Sequence, residues 1–217
     1  LLAKEFDISI TKASQYTAVI MLFLAISPIL YGYILEKICA KKMLLVSSFI
    51  LLLTNIFLGL SESYEMFMFF RICEALIIPS ILTALMSILA NIDKENIKFN
   101  MSIYVASTVF GGLVGRIFSG FIATSFSYQF VFYSLSLALF VSILLIQKLD
   151  YEGDTQVVKP KLKDVLYILK DKRFLLVYFI MFCMFFVFSG VLNVLPFRVK
   201  EISNSFSEFQ ISLLYFS

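Results

Sequence analysis

Residues Gly32-Tyr33-Ile34-Leu35-Glu36-Lys37-Ile38-Cys39-Ala40-Lys41-Lys42 set four charged side chains between two uninterrupted apolar runs. A hydrocarbon core about 30 Å thick takes roughly 20 apolar residues per helix, at about 1.5 Å per residue. The runs on either side, near 16 to 35 and 43 to 61, have that length. The charged stretch therefore reads as a short loop at a membrane surface, between two spans.

The same length recurs along the chain, near 66 to 90, 101 to 123, 128 to 147 and 174 to 196, and a further run begins near 209. These runs are apolar all round, whereas a membrane-barrel strand is about half as long and alternates polar with apolar. The sequence predicts an all-α, polytopic transmembrane helical bundle. Composition agrees. Sixty per cent hydrophobic residues and 15% charged residues over 217 positions, with a mean hydropathy of +0.93, leave too little polar surface for a soluble domain.

Charge excludes other classes. The net charge is +3 and no basic face interleaved with aromatics is present, so nucleic acid is not an expected partner. Cys39, Cys73 and Cys183 are far apart and the chain has no His, which argues against a disulfide framework or a metal site. No cofactor is expected. Lys and Arg distribute unevenly between alternate loops. Twelve fall at 37 to 42, 94 to 98 and 148 to 173, against Lys4, Lys12, Arg198 and Lys200 on the other side. By the positive-inside rule the richer side is cytoplasmic, and the loops 61 to 65 and 125 to 129 are outside.

The connection from Lys148 to Arg173 is the one long polar segment. After Pro160, Leu162, Val165, Leu166 and Leu169 recur at i, i+3, i+4 and i+7 with lysines opposite. That spacing predicts a short amphipathic helix lying on the inner membrane surface, held there by anionic lipid as a linker, with a regulatory or partner-binding role as the alternative.

An ionised side chain at the centre of a span costs about 3 kcal/mol on insertion scales, so the few that occur mark function or pairing. Arg71, Glu74 and Arg116 are these. Arg71 and Glu74 are three residues apart on one helical face. Arg116, on the next and antiparallel span, falls at a similar depth, so the three are expected to form one cluster in the outer half of the membrane. An inert neutralising pair is the alternative reading. Gly111, Gly112, Gly115, Ser119 and Gly120 form a small-residue stripe on the span of Arg116, suited to close helix approach. Pro28 and Pro79 are candidate flexure points, and the abundant Phe is expected mostly to face lipid.

The stretch from Gly32 to Lys42 resembles the G-x-L-a-D-r-x-G-r-k signature between the second and third helices of the major facilitator superfamily. Glu36 stands for its Asp, Lys37 for its Arg, and Lys41 and Lys42 supply the basic end; Cys39 replaces a Gly. Arg71-Ile72-Cys73-Glu74-Ala75 resembles the R-x-x-q-G motif of the family's drug and proton antiporters, with Glu74 for Gln and Ala75 for Gly. The Gly-Gly-Leu-Val-Gly-Arg run from Gly111 to Arg116 resembles the glycine-rich antiporter motif of their fifth helix.

The resemblance implies a truncated major facilitator fold spanning roughly the second to the start of the eighth helix. Residues 1–147 would be an N-terminal half lacking its first helix, 148–173 a cytoplasmic linker and 174–217 the start of a C-terminal half. Leu1-Leu2-Ala3 then reads as the tail of an earlier apolar run rather than as the scar of a cleaved signal peptide. It further implies a secondary transporter of the inner (plasma) membrane, monomeric when full length, that moves a small molecule by alternating access, in antiport with protons. Proton-coupled or facilitative uptake of a small nutrient is the alternative, and a non-transporting membrane subunit or channel is the competing class. Gly32, Glu36, Lys37, Lys41 and Lys42 would form the cytoplasmic gating loop; Arg71, Glu74 and Arg116 would serve proton coupling. A membrane enzyme lacks paired acids or His inside the bilayer, no G-x-x-x-x-G-K-[ST] loop is present to bind ATP phosphates, and a channel would need charge rings or a carbonyl filter.

Overall fold

The structure is a computed structural model that describes residues 6, 10–35, 37–151 and 170–202. Among the described residues six helices follow one another: α1 (Ile10–Leu35), α2 (Ala40–Gly59), α3 (Tyr64–Ile92), α4 (Ile97–Ser125), α5 (Tyr128–Gln147) and α6 (Lys172–Ile202). Five of them, α2 to α6, are long and apolar enough to cross a membrane; in α1 the apolar stretch among the described residues runs Val19–Gly32. Each expected span through residue 196 lies on its own helix. Most helices run past the apolar segment into polar flanks, because backbone hydrogen bonding continues where the lipid ends. Residues 43 to 61 are an exception at their end: α2 stops at Gly59, where the Leu60 N–H donates to the Ile56 carbonyl and the Ser61 N–H to the Leu58 carbonyl. The expected amphipathic helix after Pro160 and the run near 209 lie outside the described residues.

The turns explain the boundaries. Ser63 caps α3 by accepting from the Met66 N–H at 3.2 Å, and Glu65 in the first turn suits the positive end of the helix dipole. Between α3 and α4, Asp93 accepts from the Asn96 side chain at 2.9 Å and from the backbone N–H of Glu95 at 3.2 Å and Asn96 at 3.3 Å. Cys39 precedes α2 at φ −55° and ψ 132°. This backbone suits any residue with a Cβ, so the turn needs no glycine there.

Packing does not follow chain order. Helix α3 lies between α1 and α2, and α2 packs equally on α5. Helix α4 touches α3 and α5 over short stretches, and among its residues Ile122 is the buried one. Helix α6 is exposed along the window Lys172–Val191. Its outward Phe174, Phe182 and Phe186 are as apolar as its other faces, as expected of a surface solvated by lipid tails.

Two apolar clusters hold the bundle. At the end carrying Ser61 and Ser127, Ile20, Leu58, Phe67 and Ala75 pack together, covered by Phe6, Phe23, Tyr128 and Phe132 among others. At the lysine-rich end, Ala40, Met43, Leu44, Ala84 and Ile88 form the second cluster, flanked by Tyr31, Leu35, Ile146, Leu149 and Tyr151. Lipid tails are as apolar as Leu, so contact of this kind stabilises through close packing and hydrogen bonds rather than through removal of water. Hydroxyls and amides within the helices accordingly turn back on the preceding turn. Ser27 donates to Phe23, Thr54 to Ile50, and Asn55 to Leu51. Each satisfies a polar group that lipid cannot solvate.

Candidate functional site

Glu74 lies beside Ala75 of the first apolar cluster, on the face of α3 that packs into the bundle, and is only 7% exposed. Arg71, one helical turn earlier, is half-buried and forms a salt bridge with it through Nη1 and Oε2. The i, i+3 spacing brings the two together without any tertiary requirement. The tertiary structure adds the burial. A carboxylate so placed is held by a charge-assisted hydrogen bond from a guanidinium that remains partly accessible. The pair thus places a carboxylate inside the bundle, held by a basic partner that stays partly accessible.

Below the pair, α3 continues through Pro79 without a break. Proline removes one intrahelical donor, and the polar side chains of the next turn bond nearby carbonyls. Thr83 donates to Pro79 at 2.8 Å and to Ser80 at 3.1 Å, and Ser80 donates to Ile77 at 2.6 Å. Helix α1 likewise continues through Pro28.

Arg116 is exposed on α4. It stands nine residues before the end of α4, as Arg71 stands seven after the start of α3, so at about 1.5 Å per residue their depths differ by roughly 3 Å. The glycine stripe on the same helix is open. A Cβ added at Gly111, Gly112 or Gly115 meets nothing within 4 Å, and Gly120 is partly covered. The close helix approach expected from these small residues does not occur among the described residues, because α4 meets α3 and α5 only along short stretches.

In the charged loop, the N–H groups of Lys37 and Ile38 both bond the Ile34 carbonyl, at 2.9 and 3.2 Å, which closes the turn after α1. Gly32, Lys37 and Lys42 are exposed. Lys41 is not; it is half-buried, and its Nζ donates to the Leu149 carbonyl at 2.5 Å. Glu36 lies outside the described residues.

Three features escaped the sequence reading. An aromatic knot joins Phe6, Tyr64, Phe67, Tyr128 and Phe132, with ring centroids 5.4 to 6.5 Å apart, and Tyr128 Oη donates to the Ser61 carbonyl at 3.1 Å. Phe67, 1% exposed, is thus an exception to the outward-facing phenylalanines. The others are the Lys41 bond to Leu149 and a close approach of Gly59 to Tyr133. None leaves a local signal, since each pairs residues from distant parts of the chain.

No solved structure matches the chain. Over 131 residues, 60% of its length, it is 24% identical to a protein of Buchnera aphidicola subsp. Schizaphis graminum (strain Sg) named "Uncharacterized transporter", and the match spans 32% of that relative. Residues 1–217 as a whole match the Major Facilitator Superfamily. With its six apolar-rich helices, its buried intramembrane ion pair and this match over its full length, the chain belongs to the Major Facilitator Superfamily, a family of multi-pass membrane transporters rather than enzymes.

Proposed function

We propose that the protein is a secondary transporter of the plasma membrane that moves a small molecule outward by alternating access in exchange for protons. The observation that carries this reading is the salt bridge of Arg71 with the 7% exposed Glu74, beside Ala75 of the first apolar cluster on a membrane-spanning helix. Intramembrane ionisable residues are expensive and characteristically serve substrate or proton pathways. Rocking of two helical halves around a midplane site is the transport mode of this superfamily. Residues 148–173 would join the halves. The similar depth of Arg116 supports its joining the pair as a third cavity charge, and the glycines on its helix would let a moving neighbour close on it.

The loop from Gly32 to Lys42 would then bias the two-state equilibrium at the lysine-rich, cytoplasmic face. A charged pair there shifts such an equilibrium by about 1 to 2 kcal/mol, so Glu36→Gln should insert normally and transport more slowly.

The test is substrate flux in proteoliposomes of the full-length protein under an imposed pH gradient, across a panel of small molecules. Arg71→Ala should abolish gradient-driven flux and Glu74→Gln should reduce it less, since the first strands an acid and the second leaves an arginine that water and carbonyls can solvate. Equal and mild effects from both would assign the pair a structural role. Flux indifferent to the pH gradient would refute proton coupling.

A further inference from the structure

Lys41 occupies the second position of α2, where the positive end of the helix dipole disfavours a cation. Unlike its neighbour Lys42 it is half-buried, and its Nζ reaches a carbonyl 108 residues away, that of Leu149. Helices α2 and α5 run antiparallel and pack along each other, so the carbonyl-rich end of α5 lies beside the first turn of α2. That negative end offsets the dipole penalty on Lys41.

The chain beyond α5 is wound tightly at this point. Lys148 N–H bonds Leu145 at 3.1 Å, Leu149 N–H bonds Ile146 at 3.1 Å, and Tyr151 N–H bonds the Leu149 carbonyl at 3.0 Å. The Leu149 carbonyl thus accepts twice, from Lys41 and from Tyr151. The side chains of Leu149 and Tyr151 pack on the lysine-end cluster of Ala40, Met43, Leu44, Ala84 and Ile88, which also carries Ile34 and Leu35 from the end of α1. Instead of leaving the bundle directly, the chain folds three residues back against the mouth of the α1–α2 loop.

We infer that Leu149 to Tyr151 form a latch, with Lys41 as its positioning residue, that couples the α1–α2 loop mechanically to the chain leaving α5. Displacement of either segment loosens the other, because both rest on one cluster and one carbonyl. The inference stands independently of any transport activity.

Amide hydrogen exchange of the full-length protein in lipid nanodiscs tests it. Lys41→Met keeps the aliphatic stem and removes the donor. It should speed exchange at residues 148–151 about tenfold, the factor set by loss of one charge-assisted hydrogen bond, while α3 stays protected. Tyr151→Ala removes the latch's ring from the lysine-end cluster, and should speed exchange of the Lys37 and Ile38 amides on the other segment while α3 stays protected. The proposal is overturned if Lys41→Met leaves 148–151 within about twofold of wild type, or if it loosens α3 equally, which is general destabilisation. It is overturned too if Tyr151→Ala perturbs only its own segment, since a passive staple between helix ends would behave in that way.

Discussion

Gly59 of α2 faces the ring of Tyr133 of α5 so closely that a Cβ at position 59 would lie 2.5 Å from Cε1 and 2.9 Å from Cζ. No ordinary carbon contact is that short, so any side chain at 59 must push the ring or the helix away. Gly59→Ala should destabilise the bundle by about 1 to 3 kcal/mol through overpacking, offset by up to about 1 kcal/mol of helix propensity. Gly59→Leu should cost more, and Tyr133→Ala combined with Gly59→Ala should recover part of the loss. Thermal unfolding in detergent micelles measures all three; a stabilising Gly59→Ala would show that the ring yields freely.

The Arg71 and Glu74 pair should be asymmetric in stability as well as in transport. Arg71→Ala leaves a 7% exposed carboxylate without its partner. The expected cost is about 2 to 3 kcal/mol, below that of a fully buried pair because Arg71 is partly accessible. Glu74→Gln keeps a hydrogen-bond acceptor beside the guanidinium and should cost under about 1 kcal/mol. Equal unfolding midpoints for the two variants would contradict the burial difference.

In the aromatic knot, ring packing and the polar tip are separable. Tyr128→Phe removes the bond to the Ser61 carbonyl and should cost about 0.5 to 1.5 kcal/mol. Phe67→Ala empties a site that is 1% exposed and should cost about 3 to 5 kcal/mol. Were the order of the two reversed, the hydroxyl rather than the packing would be the chief contact at this end.

The turn between α3 and α4 should respond to acid. The Asn96 side chain, ahead of the Asn96 and Glu95 backbone N–H groups, lowers the Asp93 carboxyl below its ordinary value of 3.8. A group lowered in the fold stabilises it above its ordinary value and loses that contribution as the pH falls through the folded value. The turn should hold at neutral pH and loosen only below 3.8. Asn96→Ala should raise the Asp93 midpoint toward the ordinary value in an NMR titration. A midpoint unmoved by that substitution would leave the lowering to the backbone donors alone.

Much of this was legible in one dimension. Each run of about 20 apolar residues specifies a helix, because in lipid the backbone can satisfy its own polar groups only by coiling. The pairing of Arg71 with Glu74 follows from a spacing of three on a helix. The open face at Gly111, Gly112 and Gly115 was not legible, since small residues permit close approach without specifying what approaches.

What the sequence by itself determined is therefore local: the six helices of the described residues, the loops between them, and which charges stand inside the apolar runs. The tertiary structure alone decided that α3 lies between α1 and α2, that α2 meets α5 across the Gly59 and Tyr133 contact, that Glu74 is buried, and that Lys41 reaches Leu149. The reason is physical. Hydropathy reports the exchange of water for lipid, which is nearly the same for every apolar face. The choice of neighbour rests on shape and on single hydrogen bonds between residues far apart in the chain, and these leave no periodic trace.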